Sequence, residues 1–349
     1  MCCFERNAKF VLLEQNNLRY LKKTKYMKLK ALSFIGFLLL TSCINGDDGS
    51  ADTGAKQKMR EFVIDISQYA KAINPKFNII PQNGIELVSK DGESLNLSST
   101  EYLNAIDANG QEDLFYGDDN DDQKTPTATI SYLKGFLNLA KTSGKKILVT
   151  DYCSTSAKMN DSYLQNSKAG YVSFAASQRE LNVIPNVPAA IYQENNAVVA
   201  SMRQVKNFLY LINPDNFAAK TDFIKAVTAT NYDLLIMDYY FHDGSEFTAS
   251  EINQLKKKAN GGHRLVISYM SIGEAENYRY YWQSDWHSQK PIWMDAENPD
   301  WPGNFKVKYW NLDWQKIIYG NDNSYLKKII NTGFDGVYLD IIDAFEFYE

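Results

Sequence analysis

The fold turns on Gly333-Phe334-Asp335-Gly336-Val337-Tyr338-Leu339-Asp340-Ile341-Ile342-Asp343, a stretch followed by only six more residues. Apolar and β-branched residues between glycines read as a buried strand. Acids at the C-terminal end of such a strand are what an α/β barrel enzyme places in its active site. A barrel strand should then be followed by a helix, and almost no chain is left to make one.

Working outward, residues 57–74 hold the missing element. Phe62-Val63-Ile64-Asp65-Ile66 could pass for a strand. However, Met59, Phe62, Val63, Ile66, Tyr69, Ala70 and Ile73 keep helical spacing over four turns, and Pro75 ends the run. The spacing predicts a helix. Eight strands are expected: Phe77–Pro81, Ile147–Tyr152, Tyr171–Ala176, Phe208–Asn213, Leu234–Tyr240, Leu265–Ser271, Val307–Asn311 and Val337–Ile342. Amphipathic helices ending at glycine lie between several of them. One runs through Ile130, Leu133, Leu137 and Ala140 to Gly144. Another opens at a Thr248/Glu251 capping box and stops at Gly261-Gly262. A third takes Leu326, Ile329 and Ile330 to Gly333. Helix, glycine and buried strand in repetition predict a parallel sheet, and eight strands favour a closed (β/α)8 barrel. The polar stretch 186–204 breaks this rhythm and reads as a joining linker.

Composition and the N-terminus supply an address. The 349 residues are 44% hydrophobic, enough for one large core, and include 23 Tyr, 18 Phe and 6 Trp. Basic Met27-Lys28-Leu29-Lys30, apolar Ala31 to Leu40 and the lipobox Leu40-Thr41-Ser42-Cys43 form a lipoprotein-type signal, its apolar run too short to span a membrane. Cys43 is the expected lipidation site. Residues 1–26 are then an upstream extension, 27–43 the signal peptide, 44–56 a polar tether and 57–349 one barrel domain. The expected address is the bacterial cell envelope, with the protein exported and lipid-anchored at the outer membrane or cell surface. Beyond Cys43 the only cysteine is Cys153, so no internal disulfide is expected. That region carries 29 basic against 40 acidic residues, and a net charge of −11 disfavours nucleic acid as a partner.

The expected chemistry rests on carboxylates at strand ends: Asp151, Asp238, Glu274, Glu276, Asp340 and Asp343. In a parallel barrel these ends share one rim. Glycoside hydrolysis needs two such groups, one protonated and one ionised, and clustered negative charge separates their pKa values. Other chemistries fit poorly. His242, His263 and His287 have no ligand spacing, so no metal is expected. Phosphate-binding and dinucleotide fingerprints are missing. The acidic run Gly117–Asp122 lacks the glycine and bidentate Glu of a calcium loop.

Long motifs also carry a resemblance: SYMSIGEAENYRYYW (268–282), ENPDWPGNFKVKYWNLDWQ (297–315), GFDGVYLDIIDAFEFYE (333–349), FNIIPQNGIEL (77–87) and EDLFYGDD (112–119). Over most of 57–349 the chain resembles glycoside hydrolase family 114, the endo-α-1,4-polygalactosaminidase-like barrels. The resemblance implies a TIM barrel that cleaves galactosamine-containing polysaccharide without a cofactor. It also implies a departure in order, since NFLYLIN (207–213) resembles the family's opening strand, while FVIDISQYA and FNIIPQNG resemble segments that follow YLDIIDAFEFYE. A circular permutant joined through 186–204, a fragment of two tandem copies, and a misordered gene assembly all give this order.

By the same resemblance, Asp340 and one of Glu274 or Glu276 form the catalytic pair. Asp238, Asp343, Asp151 and Asn83 tune the site or bind sugar. Arg279, three residues after Glu276, either binds substrate or neutralises that glutamate. Tyr239, Tyr269 and Trp310 are the expected stacking and hydrogen-bonding groups. The partners expected are a polysaccharide and, through lipid alone, a membrane, with the protein a monomer. A non-catalytic glycan-binding lipoprotein on the same barrel is the competing reading.

Overall fold

The computed structural model describes residues 54–349; the signal, Cys43 and most of the tether lie outside them. Helix α1 (Ala55–Ile73) buries Met59, Phe62, Val63, Ile66 and Ala70 of the predicted stripe, while Tyr69 is half-buried and Ile73 exposed. It leads into strand β1 (Asn78–Pro81), then α2 (Thr100–Ala105) and β2 (Ala108–Glu112). Next come α3 (Thr127–Thr142), β3 (Lys146–Tyr152), α4 (Ser156–Ala169) and β4 (Val172–Ala176). The second half opens with β5 (Leu209–Tyr210), α5 (Lys220–Thr228), β6 (Leu234–Asp238), α6 (Ala249–Leu255) and β7 (Leu265–Ser271). An excursion of β8 (Glu274–Glu276), β9 (Met294–Glu297) and β10 (Asn304–Val307) follows. Helices α7 (Leu312–Ile318) and α8 (Tyr325–Thr332) then precede β11 (Gly336–Asp340).

The architecture is mixed α/β with parallel sheets. One parallel sheet has the order β1-β11-β7-β6-β5 and the other β2-β3-β4, while β8, β10 and β9 form a small antiparallel sheet. The two parallel sheets meet at two seams. Between β1 and β2 a bridge joins Gln82 to Gly110, and the Asp107 N–H donates to Ile79 O at 2.9 Å. Strand β5 lies beside β4, and past their ends the Asn213 N–H donates to Leu181 O at 3.3 Å. The last strand, β11, therefore pairs with the first, in register Ile79 to Val337. Helix α1 packs against α8 and against the 3₁₀ turn Ile342–Phe347 that follows β11. Helix α1 thus lies against the elements on either side of β11.

Seven of the eight expected strands are present. Val307–Asn311 is not one of the parallel strands: Val307 ends β10, and Asn311 caps α7 by accepting from the Asp313 N–H. Its place is filled by β2, Ala-Asn-Gly-Gln-Glu, whose first four residues are buried despite their polarity. Gly110 is required there, because a Cβ would lie 2.0 Å from the Tyr338 hydroxyl oxygen of β11. The capping box at Thr248 forms as expected, but α6 ends at Leu255 rather than at Gly261. Segment 186–204 holds no helix beyond the 3₁₀ turn Met202–Gln204, and it packs across the strand starts.

Those strand starts share a repeated lock. Asp107, Asp233 and Asp335 each precede a strand and accept the N–H of Ile79, Lys206 and Val266, all at 2.9 Å. Each also meets a lysine: Lys71 at 3.0 Å, Lys258 at 2.8 Å and Lys256 at 2.7 Å. The Lys258–Asp233 pair is fully buried, and Asn195 O further satisfies the ammonium at 3.1 Å.

Candidate active site

Asp340 closes β11 at the C-terminal end of the sheet. Register places it beside Ser271 of β7, and the hydroxyl of Tyr269 donates to Asp340 Oδ2 at 2.5 Å. Burial pushes the Asp340 carboxyl up to about 7, with the charges of Glu112 and Asp343 adding to it. The Tyr269 and Ile341 hydrogen bonds work the other way. Ile341 turns the chain sharply with φ 57°, a conformation unfavourable for a β-branched residue. Gly273 makes room for that turn, since a Cβ there would sit 2.3 Å from Ile341 O.

Glu112 ends β2 in the second parallel sheet, next to β1. Asn83, itself in the left-handed region at φ 58°, donates from Nδ2 to Glu112 Oε2 at 3.1 Å. Its Oδ1 accepts from the Glu112 N–H at 3.1 Å and from Gln111 Nε2 at 3.3 Å. The Tyr152 hydroxyl donates to Glu112 Oε1. The Glu112 charge thus raises the Asp340 carboxyl from the other side of β1, and each of the two is held by a tyrosine. Sequence reading passed over Glu112 although it opens the EDLFYGDD motif, because the polar strand before it gave no sheet signal.

A second set of acids is tied up by Arg279. Its Nε and Nη2 reach Glu276 at 2.6 and 3.2 Å, and Nη1 and Nη2 reach Asp238 at 2.9 and 2.8 Å. Glu276 is buried, so the guanidinium neutralises it in place; this was one of the two roles open to Arg279. The Tyr278 hydroxyl also donates to Glu276 Oε1. Glu274 is fully buried on β8 and accepts from Asn298 Nδ2 at 2.7 Å.

The remaining expected residues divide. Asp151 is fully buried and accepts from the Phe115 and Tyr116 N–H groups, the Ser162 hydroxyl and Asn166 Nδ2. Those four donors saturate it, and it supports the fold. Tyr239 points away from Asp340: its hydroxyl donates to Glu246 Oε2 at 2.9 Å, and its ring packs on Tyr325 and Phe334. The neighbouring Tyr240 instead faces Arg279, which lies 5.6 Å from its ring centre. Trp310 stands against Tyr348 and under Lys58, at 4.4 Å from that ammonium. Asp343 acts electrostatically on Asp340 and on Glu86. In the Gly117–Asp122 loop, Asp121 pairs with Arg179, and Asp122 accepts from the Ser154 and Thr155 N–H groups at the start of α4. A cleft of about 320 Å³ lined by Lys76, His263, Arg264 and Asp335 lies at the opposite, N-terminal end of the strands.

Comparison with known proteins places part of this arrangement in a family context. The model of glycoside-hydrolase family GH114 matches residues 193–348, which include Asp238, Glu276, Arg279 and Asp340 but not Glu112. An uncharacterized protein of Methanocaldococcus jannaschii is 44% identical over 128 residues, 36% of this chain and 34% of its own. One from Deinococcus radiodurans is 41% identical over 123 residues, 35% of this chain and 37% of its own. One from Thermotoga maritima is 38% identical over 122 residues, 35% of this chain and 36% of its own. The chain thus spans about a third of the length of the curated relatives it matches.

Proposed function

We propose that this chain is a glycoside hydrolase that cleaves an α-linked galactosamine-type exopolysaccharide with Asp340 and Glu112. The observation that carries this is the Asp340 carboxyl, pushed up to about 7 by burial and by the Glu112 charge at a rim of strand ends. A carboxyl with that value is protonated in a useful fraction near neutrality and can give its proton to a departing sugar oxygen. Glu112, oriented by Asn83 and Tyr152, is the second carboxyl group, acting on the anomeric carbon directly or through water. Glu276 then serves as the anchor of Arg279 instead of as a reacting group, and Asp238 holds the other side of that guanidinium. The match to the glycosidase family supports the reaction class. The acidic balance of the chain favours a substrate bearing free ammonium groups.

The same reading makes the eight parallel strands a closed (β/α)8 barrel, supported by the bonded β1–β2 seam and the β4–β5 neighbourhood. The pairing of β11 with β1, bridged by α1, is what a circularly permuted barrel requires. We place the protein at the cell envelope through Cys43, as a monomer. The test is to incubate the purified protein with partly deacetylated galactosaminogalactan and count new reducing ends. Turnover by wild type that vanishes in Asp340→Asn and Glu112→Gln supports the reading. Binding without turnover would make the protein a glycan-binding lipoprotein instead.

A further inference from the structure

Tyr278 is the most exposed tyrosine among the described residues, at 62%, yet its hydroxyl is engaged within the protein. It donates to Glu276, which is 1% exposed, while the guanidinium of Arg279 lies 5.0 Å from the ring centre. One end of the ring is therefore pinned by a buried ion pair, and the rest of it faces solvent. Ile292 at 78% and Leu312 at 68% carry no polar group to be held by, and the exposed Tyr132 and Tyr280 donate to Glu86 Oε1 and Asn323 O, not to the Glu276–Arg279 pair. An exposed ring held this firmly binds a flat partner without first having to be ordered.

Its position matters as much as its rigidity. Both Tyr278 and Glu276 act electrostatically on Tyr269, the residue that donates to Asp340. Beyond Arg279, Tyr240 and Tyr280 stack nearly parallel, 6.3 Å apart and inclined by 26°. Tyr278, Tyr240 and Tyr280 are thus grouped around Arg279.

We propose that Tyr278 is a sugar-stacking subsite: its open face takes the apolar C–H face of a pyranose ring one or more positions from the bond being cleaved. Glu276 and Arg279 are the positioning residues that hold it. The proposal rests on the glycosidase reading above and deepens it by assigning substrate length recognition to a named ring. The probe is a ladder of α-1,4-linked galactosamine oligomers, two to eight sugars long, with binding measured calorimetrically on an Asp340→Asn background and turnover on the wild-type background. Affinity should rise with length and include one step that Tyr278→Ala removes, about tenfold in Kd, while Tyr278→Trp keeps that step within about twofold. Equal affinities for Tyr278→Ala and its parent at every length would overturn the subsite. So would equal losses in the Ala and Trp variants that already include the dimer, because Tyr278 would then merely prop Glu276. Binding by no member of the ladder would overturn the substrate reading itself, and the subsite with it.

Discussion

The two ends of the parallel strands use the same residue type for opposite purposes. At the strand starts, Asp107, Asp233 and Asp335 each take a backbone N–H, from two neighbouring strands and from Lys206 just before β5, and a lysine ammonium. At the strand ends, Asp340 and Glu112 take tyrosine hydroxyls, and Asp340 is left facing other negative charge. Cations and backbone donors fix a carboxylate as part of the fold. Tyrosines orient one while leaving its proton exchangeable. What a carboxylate can do is set by its partners, and these differ across the length of a single strand.

The sharpest way to break this comparison is to neutralise one acid at each end. Asp340→Asn should lower kcat by about 10²–10⁴-fold, with cooperative melting retained. Its pH profile follows from the sign of the shift. With a folded value of about 7 against an ordinary 3.8, the folded chain keeps a proton that the unfolded chain has lost between those limits. Stability should therefore fall as pH rises through that window, and Asp340→Asn should make the slope shallower while the raised Asp113, Asp151 and Glu86 carboxyls keep the rest of it. Wild-type turnover should decline above about pH 7 as the acid ionises.

At the other end, Lys258→Ala strands the buried Asp233 charge and should cost about 3–5 kcal/mol in urea unfolding. Lys71→Ala, at a pair more than a quarter exposed, should cost about 1 kcal/mol or less. Equal effects would erase the distinction between the two sites. Gly110→Ala drives a methyl into Tyr338 and should cost about 1–3 kcal/mol. The smallest effect is expected for Tyr338→Phe. That hydroxyl is buried with no hydrogen-bond partner, so stability should stay level or rise by about 1 kcal/mol.

Most of the fold was legible because its strands are apolar runs bounded by glycine, and because α1 keeps a helical stripe over four turns. The exception is instructive. Ala108–Glu112 is buried without being hydrophobic: Gly110 leaves space for Tyr338, and the Asn109 side chain donates to Gly110 O. No periodicity reveals such a strand. Val307–Asn311 looked more like one, yet Val307 ends the middle strand of an antiparallel sheet and Asn311 caps α7, because apolar content alone does not say which sheet a run joins. The candidate site was half legible for the same reason. Asp340 stood at the end of an evident strand, and Glu112 at the end of a hidden one. Asp238, Glu274 and Glu276 were visible as acids, and Arg279 as a possible partner of Glu276, but its second hold on Asp238 and the Asn298 bond to Glu274 are matters of packing. Asp151 was similarly conspicuous, though four donors enclose it.

Carboxyl-carbon NMR titration of Asp340 tests the central claim most directly. The account predicts a midpoint near 7 that moves down in Glu112→Gln, as removal of the facing charge requires. A midpoint near the ordinary 3.8, unmoved by Glu112→Gln, would contradict it.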